Sequence, residues 1–352
     1  MELLVLQYLE QLDFCFLEVY KVTFKYGNVY VNNYSTVVGP FEKKGPLGNK
    51  FDKTYDNFYF GEKSFEMAEV KLMEESVEIL LKKSHKNAQD IDLIISGDLL
   101  NQLTSSSYSL KKFKIPHLGI YSACSTSTEG ILIASLFIDS MRIKNAIVTV
   151  SSHNLSSERQ FRNPVEYGAP RPKSGTFTTT GGASVLLSRN KSKIRVDSAT
   201  VGRISDMGIN DTNNMGAVMA VAAGNTIKEH LMETKRDINY YDLIITGDLG
   251  LYGKEILKEY MLSEYGIELS KNLEDSGTMI YDLNNQKETL AGGSGPACSP
   301  LVNYSYIFPL LEKGILKHVL IVATGALFSP TFVYQKNSIP SISHAVSLES
   351  VK

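Results

Sequence analysis

Cys124 stands in the run HLGIYSACSTSTEGILIA, where a strand over residues 117–121 gives way to small residues and then to a helix with Ser and Thr in its first turn. A cysteine at a helix start faces unpaired N–H groups and the positive end of the helix dipole, which favour a thiolate and anions generally. That placement suits a nucleophile or one wall of an anion pocket, and it equally admits a buried thiol acting as a small hydrophobe. Cys298, in AGGSGPACSP, follows a loop whose Gly292, Gly293 and Gly295 would let backbone approach a ligand or another segment closely. The loop is not a dinucleotide fingerprint, because G-x-G-x-x-G is absent.

Two histidines are placed to take part. His153, in SSHNLSSERQFRNP, comes just after the apolar run AIVTV, and His344, in IPSISHAV, lies near the C-terminus. A hydrogen-bonded structural imidazole is the ordinary alternative for each. His85, His117, His230 and His318 read as surface or strand-end residues. Residues 153–173 also hold Arg159, Arg162, Arg171 and Lys173 among Tyr167 and several prolines, which reads as a rigid cationic loop suited to a small anion. A solvated loop or a subunit contact would use the same residues. Asp206, Asp211, Asp248 and Asp275 are candidates for a hard cation, yet no spacing matches a calcium loop.

Composition narrows the classes. Lys+Arg number 36 against 38 Asp+Glu, a formal charge of -2, so nothing points to nucleic acid. Hydrophobic residues make up 43% and run through the whole length, which excludes disorder. Cys15, Cys124 and Cys298 are odd in number, far apart and without CxxC, which supports neither a disulfide framework nor a structural metal and favours a reducing compartment. No cofactor is implied. Residues 1–20 are apolar but interrupted by Glu2, Glu10, Asp13 and Glu18 and lack a basic lead-in, which argues against a cleaved signal peptide or a spanning helix. Leu4, Tyr8, Leu9, Leu12 and Phe16 fall at helical spacing, as in a short amphipathic helix lying on the protein, a partner or a membrane surface.

The elements that must position these residues come in two copies. Residues 92–99 read DLIISGDL and residues 242–249 read DLIITGDL. Ala123, Cys124 and Ser125 recur as Ala297, Cys298 and Ser299, and Ile147 and Ile321 each follow their cysteine by 23 residues inside an apolar run. Each copy has the order helix, buried strand, loop, Cys turn, helix, buried strand. Continuous apolar runs alternating with helical stretches (residues 65–83 and 128–142) indicate parallel strands covered on both faces. The expectation is an N-terminal extension over 1–22, an α/β half over 23–190 and a second over 191–352, related by a pseudo-twofold axis.

A duplicated α/β unit with a cysteine at a strand-to-helix turn in each half resembles the thiolase and ketoacyl synthase superfamily. The segments GPLGNKFDKTYDN, ACSTS, SSHN, ERQFRNPVEYG, ISDMGINDTNNMG, AGGSGPACS and VATGALFSPT resemble, within it, the stage V sporulation protein AD family of endospore-forming bacteria. The resemblance runs from about residue 23 to the C-terminus. It implies a five-layer αβαβα thiolase-like fold, a homodimer, and a part in moving dipicolinic acid (pyridine-2,6-dicarboxylic acid), as such or as its calcium chelate, into the developing spore. It also implies work with membrane proteins of the same operon, peripherally on the cytoplasmic face of the spore inner membrane.

The resemblance to condensing enzymes carries a pattern of its own, a Cys-His-Asn set. Here the histidine position reads TGDLG, with Gly247 and Asp248, and the asparagine position falls on Ser294 or Gly295. Losing one oxyanion donor typically costs about 2.7 to 4 kcal/mol, so the fold is expected to be kept and condensation lost. For a bound dicarboxylate, Cys124, Ser125 and Thr126 would offer a helix start to one carboxylate and Arg159 or Arg162 would meet the other. His153, Asn154 and Cys298 would line the ring, with His344 reaching in. The alternative is a thioester-dependent condensing enzyme acting through Cys124.

Overall fold

The computed structural model describes residues 21–161, 171–269 and 271–351. The amphipathic stretch expected over 1–20 lies outside the described residues. Fourteen short and long strands run through the described chain: β1 (Thr23–Lys25), β2 (Tyr30–Val38), β3 (Lys53–Thr54), β4 (Leu93–Gly97), β5 (His117–Gly119), β6 (Asn145–Ser152) and β7 (Phe177–Thr178) come first. They are followed by β8 (Gly181–Ser188), β9 (Ile194–Thr200), β10 (Leu243–Thr246), β11 (Leu273–Asp275), β12 (Gly293–Ser294), β13 (His318–Ala326) and β14 (Ser341–Ser350). Five longer helices matter for the site: α1 (Phe65–Lys83), α2 (Thr126–Asp139), α3 (Asn154–Phe161), α4 (Met215–Thr234) and α5 (Gly250–Tyr265).

The apolar runs LIISG and LIIT are buried along their whole length because each lies between two parallel neighbours, β4 between β5 and β6, and β10 between β11 and β13. Antiparallel strands extend each set, β8 and β2 beyond β6, and β14 and β9 beyond β13. The strand order β5-β4-β6-β8-β2 is thus repeated by β11-β10-β13-β14-β9. The two sets meet where β2 pairs with β9, at Tyr30 with Arg195 and Val31 with Ile194.

The aspartate that opens each repeat does the same job twice. Asp92 Oδ2 accepts the N–H groups of Lys144 and Asn145, and Asp242 Oδ2 accepts those of Lys317 and His318, so each fixes the start of the strand beside it. Leu93 stands opposite Ala146 and Leu243 opposite Val319, so this step of the repeat is 173 residues long. The counterpart of Ile147 is therefore Leu320 rather than Ile321, the second copy having one residue fewer between cysteine and strand.

Five layers, α, β, α, β, α, enclose a core that falls into three main slabs. The middle slab lies between the two strand sets and holds Ile131, Ile138, Leu301, Val302 and Phe308 from α2 and from the helical run 298–312. Helix α2 is buried on nearly every side, as a helix between two sheets must be. On the outer faces, α1 covers the first set through Met73, Val77 and Leu80, and α4 with α5 covers the second through Met219, Ile227, Leu257 and Met261. His230, read from sequence as a surface or strand-end residue, is on the buried side of α4, where its ring nitrogens bond the Thr200 and Tyr241 hydroxyls at 2.7 and 2.6 Å. Among the described residues no helix is long and apolar enough to cross a membrane.

Candidate functional site

Strand β5 ends in a tight turn, Ser122, Ala123, Cys124, Ser125, that feeds α2. Ala123 sits at φ 47°, a left-handed conformation that costs a non-glycine residue on the order of 1 kcal/mol and persists only where the surroundings hold it. Here β13 holds it: a Cβ on Gly325 would come within 2.3 Å of the Ser122 carbonyl oxygen and 3.2 Å of Ala123 Cβ. The turn's own hydroxyls are spent internally, Ser125 donating to the Ser122 carbonyl and Thr126 to the Ala123 carbonyl. Beneath it, His344 on β14 accepts the Gly202 N–H at Nδ1 and contacts the Ser122 hydroxyl at 3.2 Å through Nε2, which assigns the proton to Nε2.

Cys124 is half-buried and opens onto a cavity of about 100 Å³ that both halves build. Leu99, Met215, Met219 and Phe328 are among its apolar lining, and Asn101, Tyr121, Gln160, Thr178 and Ser294 among its polar lining. The two-stranded ladder of β7 with β12 laces the halves together beside it, pairing Phe177 with Gly293 and Thr178 with Ser294. At the end of this ladder Gly295, at φ 96°, donates its N–H to Cys124 Sγ over 3.2 Å.

The second half supplies Asp248, directly after β10. Its Oδ1 accepts the Thr324 hydroxyl at 2.6 Å, while its Oδ2 is buried without a hydrogen-bond partner of ordinary geometry. Burial pushes this carboxyl up to about 7, helped by Asp275 and opposed by Cys124, Thr324 and Gly295. Burial, and then the Asp248 charge, push the Cys124 thiol well above its ordinary value, with Gly295 pulling the other way. The expectation that the helix start favours a thiolate is corrected accordingly: one N–H does not offset desolvation beside a carboxylate.

Of the residues expected at the site, Cys124 lines the cavity. Ser125 and Thr126 lie in the same turn, fully buried. Cys298 is buried in the middle slab, its thiol also raised by burial and the nearby Asp248 and Asp275. His153 does not reach the cavity lining. Its ring lies among Phe58, Phe60 and Phe65, bonds the Phe58 carbonyl at 2.8 Å, and is pushed down to about 4 by burial.

Asn154 opens α3 beside it, its N–H donated to the Thr180 hydroxyl. The stretch read as a cationic loop begins as that helix, which turns Arg159 outward over the Phe65 ring and 3.6 Å from Glu66. Arg162 lies outside the described residues. Arg171 is bound 3.1 Å from the buried Glu158, which in turn accepts the Thr178 hydroxyl behind the cavity wall. His344 supports the Cys turn from below and is pushed down to about 4 by burial.

The four aspartates considered for a cation do not converge. Asp206 and Asp211 cap exposed turns, Asp275 is held by the Thr246 hydroxyl and the N–H groups of Leu249, Gly250 and Thr278, and only Asp248 faces the cavity. Among the described residues no group of three potential ligands could hold a metal ion. The sequence places Asp248 where an imidazole is expected and offers it only to a cation, with no role toward an organic ligand. Tyr121, Gln160, Met215 and Phe328 carried no signal, since each is unremarkable in its own segment.

A family model described as stage V sporulation protein AD matches residues 21–349. Stage V sporulation protein AD of Bacillus subtilis (strain 168) is 47% identical over 321 residues, covering 91% of this chain and 94% of that protein. Among solved structures, an OleA variant of Xanthomonas campestris superposes with a TM-score of 0.58 at 14% identity, covering 92% of this chain and 99% of that one. The 3-oxoacyl-[acyl-carrier-protein] synthase III of Aquifex aeolicus VF5 gives 0.55 at 14% identity, covering 91% and 99%. These likenesses establish the thiolase-like fold.

Proposed function

Because the chain belongs to the stage V sporulation protein AD family, we propose that it binds dipicolinic acid in the Cys124 cavity and takes part in its uptake into the developing spore, without catalysing condensation. The observation that carries the non-catalytic reading is that, among the described residues, Cys124 shares its cavity with the Asp248 carboxyl and with no imidazole. A condensing site needs an imidazole near the thiol, and among the described residues no histidine lines the cavity. A thiol held neutral by burial and by the Asp248 charge is a poor nucleophile and a sound cavity wall.

The size and the mixed apolar and polar lining of the cavity support a small ligand with an apolar ring and polar substituents. A pyridine ring would lie against Met215, Met219 and Phe328, with its carboxylates toward Tyr121, Asn101 and Gln160. Calcium would enter only on the ligand, as its chelate. Equilibrium titration with dipicolinate, with and without calcium and with benzoate and pyridine-2-carboxylate as controls, tests this. Saturable binding that prefers the dicarboxylate is expected, and no binding at millimolar ligand would overturn the reading.

The fold of the synthases favours one competing reading, thioester chemistry at Cys124. It requires an acyl adduct on Cys124 after exposure to acyl-CoA, seen as a mass increase. We further propose a homodimer and a peripheral place at the spore inner membrane beside membrane proteins of the same operon. The dimer is supported by β5, an edge strand whose three residues are all exposed and whose outer side pairs with no other strand among the described residues. Sedimentation would give a monomer if that is wrong.

A further inference from the structure

Resting on the dicarboxylate reading, we propose that Asp248 makes binding proton-coupled: the cavity accepts a ligand carboxylate only together with a proton on Asp248, whose O–H then donates to that carboxylate. Three observations lead there. Among the described residues the cavity lining contains one carboxyl and no Lys, Arg or His. That carboxyl is Asp248, 1% exposed, with one oxygen engaged by Thr324 and the other without an ordinary partner. An unpartnered buried carboxyl oxygen beside a cavity is either a repulsive wall for an anion or, once protonated, a donor aimed at it. Two carboxylates at contact cannot both stay ionised, whereas an acid and a carboxylate form a short, charge-assisted hydrogen bond.

The groups around Asp248 leave the proton nowhere better to sit. From the Cys turn it faces Cys124, from the glycine loop the Gly295 N–H, from β13 the Thr324 hydroxyl, from the helix after the loop Cys298, and from the end of β11 Asp275. Both thiols are held neutral by burial, and the Tyr121 hydroxyl is pushed up to about 12. Burial raises Asp275 as well, against the four donors that hold its charge, and that charge favours a neutral Asp248. With Asp248 near 7 in the free protein, the proton is partly present at neutral pH and must be taken from solvent above it.

The test is titration calorimetry of pyridine-2,6-dicarboxylate into the full chain in EDTA at pH 6, 7, 8 and 9, each in two buffers of different ionisation enthalpy. The expected result is a Kd rising about tenfold per pH unit above 7, with close to one proton taken up per ligand at pH 8 and less than half at pH 6. Asp248→Asn, which keeps a neutral donor of the same shape, should bind with a Kd independent of pH and with no proton uptake. Wild-type binding with a pH-independent Kd and no proton uptake would overturn the coupling while leaving the dicarboxylate reading standing. Absence of binding at every pH would overturn both. Should Asp248→Asn fail to fold, the wild-type proton count decides alone.

Discussion

Replacing Asp248 with Asn should stabilise the protein above pH 7 and do so far less in acid. In the fold this carboxyl ionises at about 7 instead of its ordinary 3.8, because it is buried and faces the charge of Asp275. Between those two values the folded state binds a proton that the unfolded chain has released, so stability falls as pH rises. At about 1.36 kcal/mol per pKa unit the loss is roughly 4 kcal/mol once pH passes 7, and it is absent below about pH 4.

Asn has no such penalty. Whatever constant cost its amide brings, the gain over wild type should be about 3 kcal/mol larger at pH 8 than at pH 5. For 352 residues unfolding with about 2.1 cal/mol/K per residue, that difference is a melting shift of about 4 °C. Buried Glu42, raised to about 7, and Glu69, raised to about 8, lean the same way, but both proteins share them and the difference cancels them. Thermal melts of both proteins at the two pH values measure it. A difference that does not change with pH would refute the claim that Asp248 is a strained acid.

Four further outcomes follow from the same geometry. Gly325→Val forces a side chain onto the Ser122 carbonyl and should cost about 1 to 3 kcal/mol and abolish dipicolinate binding, as melts and titration would show. His153→Ala empties a phenylalanine-lined site and should cost about 3 kcal/mol while leaving dipicolinate affinity within twofold, because the ring lies away from the cavity. Arg159→Ala should change stability by no more than about 0.5 kcal/mol and binding not at all, its ion pair being exposed. Cys124 should react with iodoacetamide at pH 7.5 at least about tenfold more slowly than free cysteine, which peptide mass spectrometry can follow, and an equal rate would contradict its raised pKa.

The parallel core of each half was legible because its strands are uninterrupted apolar runs and its aspartates repeat. Strands β8 and β14, GGASVLLS and SISHAVSLES, were not read as strands, since buried serines disguise them. Their hydroxyls are satisfied by neighbours no local pattern reveals, as Ser184 is by Ser76 and Thr149. At the site, the Cys turn could be placed from its flanking strand and helix, but the charge state of the thiol depends on burial and on a carboxyl that arrives from the other half. His153 shows the converse case. Its position after a strand suggests chemistry, and the aromatic rings that make it a core residue come from Phe58, Phe60 and Phe65, in the segment that leads into and opens α1.

The lacing of β7 to β12 has a consequence for how the molecule is made. The thiol belongs to residue 124, the carboxyl to 248, the N–H that meets the thiol to 295, and the strand that braces the turn to 318–326. A nascent chain can shape its first half as it leaves the ribosome, yet Cys124 then sits in an open, wetted turn with nothing opposite it. The cavity closes only when the last quarter of the chain has emerged and threaded back across the first. A molecule truncated late in synthesis would therefore carry a reactive cysteine that the finished protein masks, and the competence to bind would appear all at once, at the end of translation.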